Sequence, residues 1–378
     1  MMKRSMENKA EAAFLELIKS GIWNKEPDVS FFEGLDASEW MVIWEAVHDQ
    51  AVTGICYAAV ERLPKTCRPP RQLFFSWMAE AQAIQGYNQK IRSVWTEVNT
   101  SLEQAGVYPI VMKGIGIALL YPQPLLRMTG DLDLYIPDSY DRALECLRQW
   151  GEIKFDHNRS HQHDMIYIRD ILVELHYPHN LNPSSLQNRK CELVKKEGVL
   201  YRVPEARENA IMLLKHAAKH LFNGGIGLRH LCDWVLFVKQ YPELDYASIM
   251  EELRKEGMAR FVRVFTAVGF EYIGIDLANL PAFWSLNFYD RLFFKRLLWF
   301  SIRKLGNFGQ KKRKKRKFTI WKKGNSFSLQ ILRERIYWYG NILKEIFILY
   351  PFYPKLARKK LKLFFTSLNT AFKERFLH

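Results

Sequence analysis

The sequence predicts an α+β protein: a small mixed sheet flanked by N- and C-terminal helical regions. Apolar residues recur at helical spacing through the first 105 residues. After Gly106 the pattern changes to short, β-branched and alternating runs. Helical spacing then resumes after Pro204. The chain accordingly divides into a helical region (1–105), an α/β core (106–203), a second helical region (204–302) and a basic tail (303–378).

Each element has its own justification. Phe14, Leu17 and Ile18 lie on one helical face, and Gly21 is read as the left-handed stop of the first helix. Asp36-Ala-Ser-Glu39 has the form of a capping box ahead of Trp40–Val47. Pro69-Pro70 interrupts the chain, and Arg71–Gly106 then reads as one long helix. Val107–Met112 is a short apolar run, read as a buried strand. Lys113-Gly114 ends it and Ile115–Tyr121 reads as a short helix. Asp131–Ile136 alternates, which predicts a strand with Asp131 and Asp133 on one face, because side chains in a strand repeat every two residues. Ser139–Gly151 reads as an amphipathic helix. Asp164–Ile168 and Ile171–Tyr177 read as strands joined at Arg169-Asp170. Glu205–Phe222, ending at Asn223-Gly224-Gly225, then Leu228–Tyr241, Tyr246–Gly257 and Met258–Ile273 read as helices.

Composition excludes several classes. The chain has 378 residues, 48% of them apolar, with 11 Trp, 25 Phe and 17 Tyr, so a largely disordered chain is excluded. Five widely spaced Cys without a CxxC argue against a disulfide scaffold or a cysteine-rich zinc domain, and fit a reducing, cytoplasmic setting. The charged first 21 residues do not read as a targeting segment, and no run is long and apolar enough for a spanning helix.

Charge is unevenly placed. From Arg303 onward there are 21 Lys+Arg against three acids, whereas the first 302 residues hold 35 Lys+Arg and 37 Asp+Glu. The densest block, Lys311–Lys317, is followed by aromatic and aliphatic residues. The leading reading is a peripheral encounter with an anionic membrane surface, on its inner face. A solvated basic loop and a nucleic-acid contact remain open, the latter less favoured.

The chemistry is concentrated in the core. Asp131 and Asp133 project side by side from one predicted strand, and Glu174 comes from another about 40 residues later. Such an acidic cluster suits Mg²⁺ (or Mn²⁺), a hard ion that prefers oxygen ligands and keeps positions open for water and phosphate. Two ions held this way can activate an attacking oxygen and stabilise a leaving pyrophosphate. The histidines form a second group: His157, His161, His163, His176 and His179 around the strands, and His216 with His220 four apart on one helix. The pair reads first as hydrogen-bonded side chains. Zinc ligation is the minor reading, since the helix lacks the glutamate of HExxH.

Lys113-Gly114, then Arg127-Met-Thr-Gly-Asp131-Leu-Asp133, then Val173-Glu174-Leu-His176 resemble the nucleotidyltransferase superfamily of DNA polymerase beta. More narrowly they resemble a bacterial nucleotidyltransferase family with a K-G … R-x-x-x-D-x-D … E-x-H pattern, similar to antibiotic nucleotidyltransferases. The resemblance covers residues 106–178, and more loosely 205–240, where His216, His220, Arg229 and Asp233 look like that family's helical segment.

It implies a nucleotidyltransferase-like core that moves a nucleoside monophosphate from an NTP to an unknown hydroxyl or phosphate acceptor (small molecule, sugar or protein). By the same resemblance Asp131, Asp133 and Glu174 would bind metal, with Glu174 as ligand or base. Lys113, Gly114, Arg127, Thr129 and His176 would serve the nucleotide and support the site. The superfamily usually has Gly-Ser or Gly-Gly where this chain has Gly114-Ile115-Gly116; Thr129 is the candidate to replace the missing hydroxyl. Two alternatives accompany this reading: an inactive, regulatory nucleotidyltransferase fold, and an RNA-binding or RNA-directed transferase using the tail.

Overall fold

The computed structural model describes residues 2–154, 163–176, 191–223, 226–274, 286–305 and a set of positions between 343 and 362. The basic block Lys311–Lys317, most of the tail, His157, His161, His179 and Gly224-Gly225 lie outside the described residues.

The chain forms two compact units. The first comprises Met1–Leu213, Cys232–Leu244 and Tyr272–Ile275; the second comprises Leu214–Leu231, Asp245–Glu271 and Asp276–His378.

The first unit opens with four helices: α1 (Met2–Trp23), α2 (Ala37–Asp49), α3 (Thr53–Val60) and α4 (Arg71–Gln104). The capping box is formed in full: the Asp36 carboxylate accepts from Glu39 N, and the Glu39 side chain accepts from Asp36 N. Gly21 does not end α1. The helix runs on to Trp23, and Asn24 takes the left-handed conformation, with φ 50°. Gly21 is required for a different reason: a Cβ there would lie 2.2 Å from the Ile55 carbonyl of α3. Gly54 plays the same part, its absent Cβ leaving room for the Leu126 carbonyl at 2.3 Å.

A five-stranded sheet follows. Its strands are β1 (Ile110–Met112), β2 (Leu132–Tyr135), β3 (Ile153–Lys154), β4 (His163–Ile168) and β5 (Ile171–His176), in the order β1-β2-β5-β4-β3. The central pair β2–β5 is parallel and the others are antiparallel. Short helices α5 (Gly114–Ala118) and α6 (Tyr140–Leu147) lie between the first strands. Strand β1 is shorter than the apolar run that signals it, starting at Ile110. The turn between β4 and β5 is carried by Arg169 and Asp170, both with positive φ, as a two-residue hairpin turn demands.

Leu132, Leu134, Val173 and Leu175 point to one face of the sheet. There they pack with Ile91, Val94, Trp95 and Val98 of α4 and with Leu144 and Leu147 of α6. Period two then assigns Asp133, Tyr135, Glu174 and His176 to the opposite face. All four β2 residues are buried, so both faces of this strand are covered.

A second hairpin, β6 (Cys191–Lys196) and β7 (Val199–Pro204), follows where the sequence pattern carries no strand signal. Its first strand alternates only weakly and is rich in charge, which hides the period. Its turn is held at Glu197 by Arg92 of α4. Glu192 of β6 accepts from Ala206 N at 2.9 Å and from the Tyr241 hydroxyl at 2.8 Å. Two long helices follow, α7 (Ala206–Asn223) and α8 (Leu228–Gln240), the first ending and the second beginning in the second unit.

The second unit also contains α9 (Tyr246–Lys255), α10 (Ala259–Gly269) and α11 (Lys295–Leu305). Buried Asp290 is flanked there by Arg263 at 3.2 Å and Arg260 at 3.4 Å. Among the described residues no helix is long and apolar enough to cross a membrane, and all five cysteines are free.

Candidate active site

The parallel pairing of β2 with β5 sets Asp133 directly beside Glu174 in register. Two carboxylates from strands that are far apart in sequence thus share one face. His176, two residues on, joins them: its Nε2 donates to Asp133 Oδ1 at 2.8 Å and lies 3.6 Å from Glu174 Oε2. Asp133, Glu174 and His176 each place one potential ligand atom within 4.8 Å of the others.

Lys113 closes the group from the end of β1. Its Nζ donates to the same Asp133 Oδ1 at 2.8 Å. Lys113 takes the rare φ of 49°, and its carbonyl starts α5 by accepting from Ile117 N. A non-glycine residue held there is strained, and such strain persists only where the surroundings enforce it.

The electrostatics follow from this geometry. Burial pushes the Asp133 carboxyl up, but the Lys113 ammonium and then His176 outweigh it and hold Asp133 well below the usual carboxylate range. Burial pulls Lys113 down, and Asp133 more than restores it, so the amine stays charged. Burial likewise lowers His176, yet its hydrogen bonds to Asp133 and Glu174 leave it raised. The result is a buried, ionised carboxylate with a cation on one oxygen.

Asp131 stands one residue before β2 and is only partly buried; Lys113 and Tyr87 both feel its charge. Gly114 packs tightly, since a Cβ there would be 3.2 Å from the Asp131 carbonyl and from Thr129 Cγ2. Ile115, at the position where the superfamily has a serine, is buried in the core between the sheet and α4. Its side chain is packing, which explains the apolar residue. Thr129 Oγ1 donates to the Arg127 carbonyl at 3.2 Å.

Arg127 is placed differently from the rest. Its guanidinium is buried and grips Asp233 of α8 by two bonds of 2.7 Å. A further nitrogen donates to the Gly114 carbonyl at 3.1 Å. The Tyr121 hydroxyl donates to Asp233 Oδ1 at 2.7 Å. Asn88 of α4 donates to the carbonyls of Leu125 and Arg127, at 2.6 and 2.9 Å, and the Tyr87 hydroxyl donates to the Gly130 carbonyl at 2.9 Å. The loop from Leu125 to Gly130 is therefore fastened along its length. Asn88, Tyr87 and Tyr121 carry no motif signal; only three-dimensional proximity reveals them.

Residues 36–273, well over half of the chain, match a family of uncharacterised nucleotidyltransferases. The chain belongs to this nucleotidyltransferase family. All eight site candidates fall within the matched residues. No curated protein matches the chain. Among solved structures it is similar to an antigenic nucleotidyltransferase-like protein from Paracoccidioides brasiliensis, at 14% identity and a TM-score of 0.32, over 44% of this chain and 88% of that one.

Proposed function

We propose that this family member transfers a nucleoside monophosphate from an NTP to a hydroxyl or phosphate acceptor (a small molecule, sugar or protein), releasing pyrophosphate. The observation that carries this reading is the in-register pair Asp133–Glu174 beside Lys113. The donor set fits the Mg²⁺ or Mn²⁺ that the family implies: hard carboxylate oxygens, one of them held ionised. Asp133 and Glu174, with Asp131 at the start of the same segment, would hold it. When bound, one or two such ions supply neutralisation of triphosphate charge and a more acidic acceptor hydroxyl.

The chain's own groups do the rest. Asp133 keeps its charge at all physiological pH values. Glu174 is the group placed to accept the acceptor proton or to serve as a ligand. His176 orients Asp133 by donating to it, with Glu174 alongside at 3.6 Å. Lys113 brings a cation to the phosphates, and Thr129 brings a hydroxyl. Arg127 acts as a positioning residue, tying the 125–130 loop and Gly114 to α8. The charge excess of residues 303–378 supports a peripheral encounter with an anionic membrane; liposome flotation of the full chain against a tail truncation tests it.

Calorimetric titration of each NTP with Mg²⁺ into wild type and Asp133→Asn is the deciding experiment. Metal-dependent binding of one NTP to wild type, lost in the variant, supports the reading. No binding of any NTP to folded wild type overturns it.

A second reading rests on the Lys113–Asp133 ion pair and on buried Ile115: a nucleotide-binding regulator without turnover. Binding of an NTP with no pyrophosphate released across a panel of hydroxyl and phosphate acceptors would favour it.

A further inference from the structure

We propose that His216, His220 and His230 form a binding site for a zinc-class transition-metal ion, distinct from the carboxylate cluster. All three lie in the second unit. His216 and His220 are one turn apart on α7, so they share a face. His230 comes from the first turn of α8. Each offers a ring nitrogen, and the three nitrogens lie within 4.8 Å of one another. The ring centroids of His216 and His220 are 4.4 Å apart, and those of His220 and His230 4.6 Å.

Two details point to a ligand. The Nε2 atoms of His216 and His220 face each other at 3.0 Å. A tetrahedral ion with Zn–N bonds of about 2.0–2.1 Å holds its nitrogens about 3.3 Å apart, so little movement is needed. His230 Nδ1 lies 3.3 Å from the Gly227 carbonyl. A proton on that nitrogen leaves Nε2 with its lone pair directed elsewhere, the arrangement by which carbonyls orient metal-binding histidines. Protonated imidazoles packed this closely would repel; a shared divalent ion turns the crowding into attraction.

The chemistry of the two clusters separates their ions. Oxygen donors at Asp133 and Glu174 suit Mg²⁺ or Mn²⁺, whereas three imidazoles suit Zn²⁺, Co²⁺, Ni²⁺ or Cu²⁺. Three protein ligands leave a fourth position for water or another donor. Within the second unit the ion would join the C-terminal half of α7 to the first turn of α8.

The test is titration of chelator-treated, full-length protein with Co²⁺, followed by visible absorption and by Zn²⁺ displacement. One Co²⁺ per chain is expected, with a tetrahedral-type visible band that Zn²⁺ removes. The band should persist in Asp133→Asn, and its affinity should fall at least about 100-fold in His220→Gln, beyond the roughly 10–100-fold that loss of an outer-shell partner costs. His216→Gln, at a partly exposed position, serves as the second variant, with circular dichroism confirming that each is folded. Absence of stoichiometric Co²⁺ binding to wild type would overturn the proposal. So would binding unchanged in both histidine variants, or binding lost only in Asp133→Asn.

Discussion

Asp133 and Asp233 are both buried carboxylates beside a cation, and the chain treats them differently. Asp233 receives two bonds from Arg127 and a third from Tyr121, all from buried groups. Both of its oxygens are engaged by a guanidinium whose proton is held more tightly still, Asp233 outweighing burial, so its charge is permanent. At Asp133 the cation is a lysine with its side chain part-exposed, and it meets the same oxygen as His176. A bidentate guanidinium fork is a rigid closure, whereas an ammonium on a flexible stem is a movable one. The first arrangement fastens a loop. The second keeps a carboxylate ionised and able to change partners, which is what a substrate site requires.

The largest expected effect lies at the movable pair. Asp133→Asn should lower nucleotidyl transfer about 1,000-fold, several kcal/mol of charge stabilisation being lost at the reacting phosphate. Cooperative unfolding should survive. Single-turnover pyrophosphate release reads the first effect and urea melting the second; a variant that unfolds as readily as Asp233→Asn would collapse the distinction.

Asp233→Asn should instead cost about 3–5 kcal/mol of stability, because it strands the buried Arg127 charge. Urea denaturation measures this, and a loss under about 1 kcal/mol would mean the guanidinium finds water. Tyr121→Phe removes a single bond to the same carboxylate and should cost about 1.5–3 kcal/mol by the same melt. The smallest effect is expected at Glu97→Gln. Its pairing with Arg169 is also bidentate, but both side chains are substantially exposed, so the change should stay below about 1 kcal/mol. A larger loss there would show that fork geometry outweighs burial, and would undo the explanation given for Asp233.

Much of the architecture was legible locally. The capping box, the long helix after Pro69-Pro70 and the β4–β5 turn depend on neighbouring residues, so propensity and spacing reveal them. Gly21 shows the reverse case. A glycine near a helix end usually marks the stop, but here it answers a contact with Ile55, 34 positions away in the chain. The β6–β7 hairpin carries little local signal because no residue of its first strand is fully buried and half of them are charged, Glu192 meeting Ala206 N and the Tyr241 hydroxyl outside the hairpin. Within the site, motif spacing points to Lys113, Asp133, Glu174 and His176, but their contacts depend on the pairing of β2 with β5.

Residue type and local order alone establish an α+β chain with a basic tail, and a strand carboxylate motif with a distal glutamate. Those features rest on backbone period and on the donor chemistry of single side chains, which do not depend on long-range folding. The parallel register of β2 with β5, the closing of Arg127 onto Asp233 and the meeting of His230 with His216 and His220 were settled by packing. Register is chosen by which faces the sheet can bury, and ion pairing by which charges end up without water. Both are properties of the assembled core, so no stretch of sequence contains them.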